Sequence, residues 1–226
     1  PVILDPYATA DLLEMLAYDS MGALAVQEGR SWLNGRMGQR IMAPNVTIVD
    51  DGFDISGIPL PFDFEGVPRK VVPIVEAGVA MGPVYDSFTA GREAGKESTG
   101  HASPSSPQGR LGPIPMNLFL RPGTASLEEM IGSTSLGVYV TRFWYTRPVH
   151  PRDAVITGMT RDGTYVVRNG EIAYAVKSLR FTQSYVEALK DAATIGGKPR
   201  LLRSSGGAVS VPAVKLSRFR FTSSTR

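Results

Sequence analysis

The chain has 226 residues, a formal net charge of +3, 42% apolar residues and 20% charged ones. That is enough for one large domain or two small ones with a real core, and so mild a charge gives no ground for a nucleic-acid partner. The absence of cysteine excludes disulfides and thiolate metal sites, and two histidines cannot supply three imidazole ligands. No stretch approaches the roughly 18 unbroken apolar residues of a membrane span. The chain opens at Pro1, without Met or a signal peptide, so we expect a fragment of a longer protein.

Val2–Leu4 reads as a short strand. A helix is expected from Pro6 to Gln27, capped by Asp5 and closed before Gly29. It is apolar nearly all round, so it should be buried. Arg30–Arg40 is a Gly- and Arg-rich loop, Asn45–Val49 a strand, and Asp50-Asp51-Gly52 its turn. Gly52–Pro68 reads as a long ordered loop. A hairpin follows, with strands Lys70–Val75 and Val79–Asp86, and Pro73 marks an edge or bulge. A short helix at Ser87–Ala94, a mobile loop at Ser98–Gly112 and a strand at Ile114–Leu120 come next.

Ser126 and Glu129 form a capping box that starts a helix running to Ser133. Gly137–Tyr145 is the strongest strand signal, followed by strands at Val155–Thr160 and Thr164–Arg168. Asn169-Gly170 is a type I′ turn signal, with Glu171–Phe181 as the returning strand. A helix at Gln183–Ala193 and a strand at Ala208–Phe221 complete the chain. Val75–Gly78 and Val167–Gly170 have a loosely repeated look. It reads equally as a duplication or as the common hairpin pattern. Strands outnumber helices and join mainly by hairpins. The expected class is therefore α+β, a mainly antiparallel sheet wrapped around the buried N-terminal helix.

The chemistry-bearing residues are few. His101 and His150 read as exposed loop histidines, with a catalytic or metal role as the alternative. Asp50 and Asp51 fit a turn better than a cation site. Asp63 and Glu65 fit a solvated loop better than a pair of catalytic acids. The Arg/Phe alternation from Arg218 to Phe221 fits a half-exposed strand better than base stacking. Arg142, inside an aromatic strand, needs a carboxylate, either in the protein or at a peptide terminus.

A run of motifs then falls in a familiar order: Val46–Gly52, Asp63–Pro68, Ser98–Gly100, Gly123–Ile131, Gly137–Phe143, and Asn169–Ile172 with Val176-Lys177. Together they resemble the C-terminal domain of the TldD/TldE (PmbA) proteins, and the likeness covers nearly all of residues 1–226. It implies that the N-terminal domain of the full protein is absent here. It also implies a cytoplasmic, heterodimeric zinc metalloprotease that trims unfolded peptides, in which the TldD subunit holds zinc through His-Glu-x-x-x-His and a Cys. An older label for the family is modulator of DNA gyrase.

Carried over position by position, the first His falls on Glu14, the catalytic Glu on Met15, the second His on Asp19 and the Cys near Ser204 or Ser205. None of these residues is the family's. Zinc needs N or S ligands and a base beside its water, and Met15 is no base. On a regular helix at ~100° per residue, Glu14 and Asp19 point about 140° apart. A distorted helix would let them hold a hard cation. The expectation is a non-catalytic, TldE-type domain without its own metal, beside a TldD-like subunit that carries zinc. Peptide would add as a strand, with Val138, Tyr139, Val140, Thr141, Arg142 and His101 as contacts, and the isolated chain could pair with itself. The rival readings are a hydrolase using other residues such as Asp19, His101 or Asp63, and a non-enzymatic scaffold or nucleic-acid-associated protein linked to DNA gyrase modulation, against which the mild charge speaks.

Overall fold

The computed structural model describes residues 1–18, 20–104, 112–203 and 207–224. In chain order the elements are β1 (Val2–Leu4), α1 (Pro6–Tyr18), α2 (Ala23–Gln27), β2 (Ile48–Asp51), β3 (Val71–Glu76), β4 (Val79–Ala80) and α3 (Ser87–Ala90). There follow β5 (Asn117–Leu120), α4 (Leu127–Gly132), β6 (Leu136–His150), β7 (Val155–Arg168), β8 (Glu171–Ala175), β9 (Leu179–Ser184) and α5 (Tyr185–Lys190). β10 (Ala192–Ile195), β11 (Arg200–Arg203), β12 (Ala208–Val211), β13 (Val214–Leu216) and β14 (Phe221–Ser224) complete the fold.

Two sheets result. The larger has the order β10-β13-β1-β6-β7-β9-β14, with β8 on the end of β7, and the smaller has the order β11-β12-β5-β2-β3-β4. Pairing is antiparallel except for β1 with β6 and β12 with β5. The class is α+β, as expected. Helix α1 packs against β6 of the large sheet and β12 of the small one, with Leu12, Leu13 and Leu16 fully buried. Each such leucine contributes about 1.5–3 kcal/mol relative to an exposed one.

The opening helix is shorter than its apolar run. It ends at Tyr18, because Gly22 is extended and the chain beside it pairs with Val84: the N–H of Ala23 donates to the Val84 carbonyl, and the N–H of Val84 to that of Met21. The cap is as expected, with the Tyr7 N–H donating to Asp5 Oδ1. The capping box at Ser126 and Glu129 and the left-handed Asn169-Gly170 turn are also present. Pro73 sits where the pairing of β3 with β2 shifts register.

Four expected strands divide differently. Val155–Arg168 is one strand, passing through a left-handed Asp162. Glu171–Phe181 is two strands, β8 and β9, on different stretches of β7. Ala208–Phe221 becomes β12, β13 and β14, because Pro212 and Ala213 carry the chain from the small sheet to the large one. Phe219 and Phe221 pack towards Phe143 and Phe181, so the Arg/Phe alternation does separate a buried face from an exposed one. Strand β11 had no forewarning in the sequence.

Candidate functional site: a cleft on the first helix

One side of α1 carries Tyr7, Ala10, Asp11 and Glu14, spaced i, i+3, i+4 and i+7, which places them on one stripe, with Ala10 reaching the core. They form one wall of a cleft of about 620 Å³. Residues 142–146 of β6 and Leu202 and Arg203 of β11 make up the rest of its lining. The pairing of β6 with β7 is irregular between Trp144 and Arg147, and Tyr145 there has a φ of 56°. Such bulges re-aim side chains, and this one brings the Thr146 hydroxyl to Asp11 Oδ2 at 2.8 Å. The Tyr185 hydroxyl reaches Asp11 Oδ1 at 3.4 Å.

Both acids of the stripe are pushed towards neutrality. Burial raises Asp11 to about 6, against the pull of its Thr146 and Tyr185 hydrogen bonds and the Arg142 charge. Burial, and then the charge of Asp11, raises Glu14 to about 7. Glu14 carries no hydrogen bond to a described residue. On the facing wall, Arg142 is half-exposed, pairs with Asp162 at 3.2 Å and lies over Trp144. It therefore has the expected carboxylate but is not buried. Arg203 makes no ion pair with a described residue.

Two of the zinc-site positions of the resemblance fall among the described residues. Glu14 lines the cleft, whereas Met15 packs against the hydrophobic core. Asp19, Ser204 and Ser205 lie outside the described residues. Among the described residues no group of three or more His, Asp or Glu side chains could hold a metal ion, and no imidazole lines the cleft. Its donors are carboxylates and a hydroxyl, a set suited to hard cations rather than zinc.

The expected peptide contacts scatter. Val138 and Val140 pair with β1 on one side and β7 on the other, as does Tyr139, so this stretch of β6 has no free edge for an added strand. Thr141 bonds to the carbonyls of Arg161 and Gly163. Of the six, Arg142 alone lines the cleft.

His101 is also far from its expected setting. It is fully buried, not exposed in a loop, and its Nε2 meets Asp50 Oδ1 at 2.9 Å. Its Nδ1 meets the hydroxyl and carbonyl of Thr99, each at 2.9 Å. Asp50 is no turn former. It lies inside β2 and also accepts from Arg69 and from the N–H groups of Met116 and Asn117. Burial pushes Asp50 up, but His101, Arg69 and the Asn117 amide outweigh it and hold the carboxyl below its usual range. Asp63 is likewise buried rather than solvated, accepting from the N–H groups of Glu65, Val67 and Ala102. Gly100 lets the loop approach: its φ is 73°, and a Cβ there would meet the Pro68 carbonyl at 2.5 Å. His150 stands exposed at the end of β6, 3.7 Å from Asp153.

Sequence reasoning missed Tyr7, Asp11, Trp144, Tyr145, Thr146, Leu202 and Arg203. The stripe Tyr7–Asp11–Glu14 on an otherwise apolar helix was the available signal for the first two.

The family model of the PmbA/TldA metallopeptidase C-terminal domain matches residues 1–223. A metalloprotease of Methanothermobacter thermautotrophicus is 28% identical over 88% of this chain and 43% of its own length. The crystal structure of a putative modulator of a DNA gyrase from Thermotoga maritima superposes with a TM-score of 0.82 at 27% identity, over 95% of this chain and 47% of that one. The structure of TldE from Thermococcus kodakarensis shares the fold, with a TM-score of 0.82 at 22% identity over 95% of this chain and 48% of its own. The chain thus spans less than half the length of each of these relatives. With the match running from end to end and the two-sheet fold shared, the chain belongs to the PmbA/TldA metallopeptidase C-terminal domain family.

Proposed function

We propose that this domain is the metal-free, TldE-type side of a two-subunit, TldD/TldE-type zinc metalloprotease acting on unfolded peptides in the cytoplasm. A TldD-like partner supplies the zinc and the cutting residues. This chain helps hold the peptide and does not itself cleave. The observation that carries the reading is Met15: it stands where the family resemblance places the catalytic base, and its thioether packs against the core. A thioether cannot take a proton from water at neutral pH.

The holding role falls to the cleft. Strand β11 is the edge of the small sheet, and two of its residues line the cleft. An extended peptide adds there through main-chain hydrogen bonds, which are indifferent to sequence. The rival hydrolase reading loses support from His101 and Asp63, whose polar atoms are buried and occupied.

Peptidase assays on the full-length protein, alone and mixed with a TldD-like subunit, test the reading. Cleavage is expected only in the mixture, and turnover by the full-length protein alone overturns it.

A further inference from the structure

The cleft has two walls of opposite charge. On α1 stand Asp11 and Glu14, and Glu14 has no hydrogen bond to a described residue. Facing them are Arg142 from β6 and Arg203 from β11. Arg203 has no ion-pair partner among the described residues, and the Asp162 partner of Arg142 lies at the solvent surface, where such pairs are worth little. Tyr7, Trp144 and Tyr145 also line the cleft, each ring lying under a guanidinium, that of Arg200, Arg161 and Arg147 respectively. The volume of about 620 Å³ falls within the roughly 300–1,000 Å³ of small-ligand sites.

Glu14 is half-buried and Arg203 exposed, and neither has an ion-pair partner among the described residues, so both are open to an incoming charge. A ligand carrying both a cation and a carboxylate satisfies both. A guanidinium is moreover the group best shaped to grip a carboxylate with two parallel hydrogen bonds.

We propose that this cleft binds a short peptide with both termini free, its ammonium group against Glu14 and Asp11 and its carboxylate against Arg142 and Arg203. The choice of a peptide over other zwitterions rests on the peptide-holding role proposed above. The site would make the domain selective for the small, free-ended peptides that proteolysis releases. An internal stretch of a long chain offers neither charge. No bond is made or broken in the cleft.

The probe is trialanine, titrated into the full-length protein without a partner. Calorimetry, and the part of the tryptophan fluorescence change that Trp144→Phe removes, report binding at the cleft. We expect saturable binding by free trialanine, and about tenfold weaker binding by its N-acetylated and its C-amidated forms. Glu14→Gln should remove the penalty for N-acetylation while sparing that for amidation. Arg142→Gln combined with Arg203→Gln should do the reverse. Equal binding of free and blocked peptides overturns the proposal, and so does the absence of saturable binding by wild-type protein whose circular dichroism shows it folded. Neither result touches the peptidase assay above, so the two readings fail separately.

Discussion

Asp50 and Glu14 are both acids set among apolar packing, and their surroundings differ in one respect. Asp50 is saturated: two side chains and two backbone N–H groups donate to it. Its carboxyl is held charged, and it ties β2 to the loop at His101 and to the start of β5. Glu14 is the opposite case. It has no hydrogen bond to a described residue, faces a cleft, and is pushed up to about 7. A saturated polar cluster holds a fold together. An unsaturated one beside open space is available to something else.

The contrast can be broken most severely at the buried cluster. Asp50→Ala takes from the buried Arg69 guanidinium its ion-pair partner and leaves two backbone donors without an acceptor. We expect a loss of about 3–5 kcal/mol, read by urea denaturation, or failure to fold. A loss below about 1 kcal/mol would show that the cluster is not the anchor described. His101→Leu, which removes one donor, should cost roughly 1–3 kcal/mol.

At Glu14 the sign reverses. Its folded-state pKa is raised from 4.5 to about 7, so folding favours the protonated form. That contribution is full below about 4.5 and is lost as pH rises towards 7. Glu14→Gln keeps the shape and removes the titration. The variant should match wild type near pH 4 and be the more stable at pH 8, by on the order of 1 kcal/mol. Asp11, Arg142, Arg203, Tyr7 and Tyr145 share the cleft, so repeating the comparison in Asp11→Asn separates the charge of Asp11 from burial. The smallest effect is expected at the surface: Asp162→Ala should change stability by less than about 1 kcal/mol.

Much of the fold was legible in the sequence because its signals are local. The Ser126 capping box, the Asn169-Gly170 turn and the aromatic run of β6 each depend on neighbours in the chain, and each is present. The failures are long-range. The opening helix stops early because Gly22 lies beside Val84, which no helical periodicity records. The two ends of β6 behave differently because β1 covers Val138–Val140 and no further. His101 looks like a loop residue until Asp50, 51 positions earlier, is placed beside it. The cleft was half legible. Its α1 stripe is in the spacing, but Leu202 and Arg203 reach it only through the turn of the chain between the sheets. That Glu14 and Met15 stand where the resemblance puts a His and a Glu was readable residue by residue. The surroundings of that helix face were not, because they depend on what stands opposite.

The central claim is that α1 carries no zinc chemistry. Metal analysis of the full-length protein, purified alone and then with a TldD-like subunit, tests it most directly. The account predicts substoichiometric zinc in the protein alone and one zinc for each assembled pair. One zinc bound to the protein alone, and lost in Glu14→Gln, would contradict it.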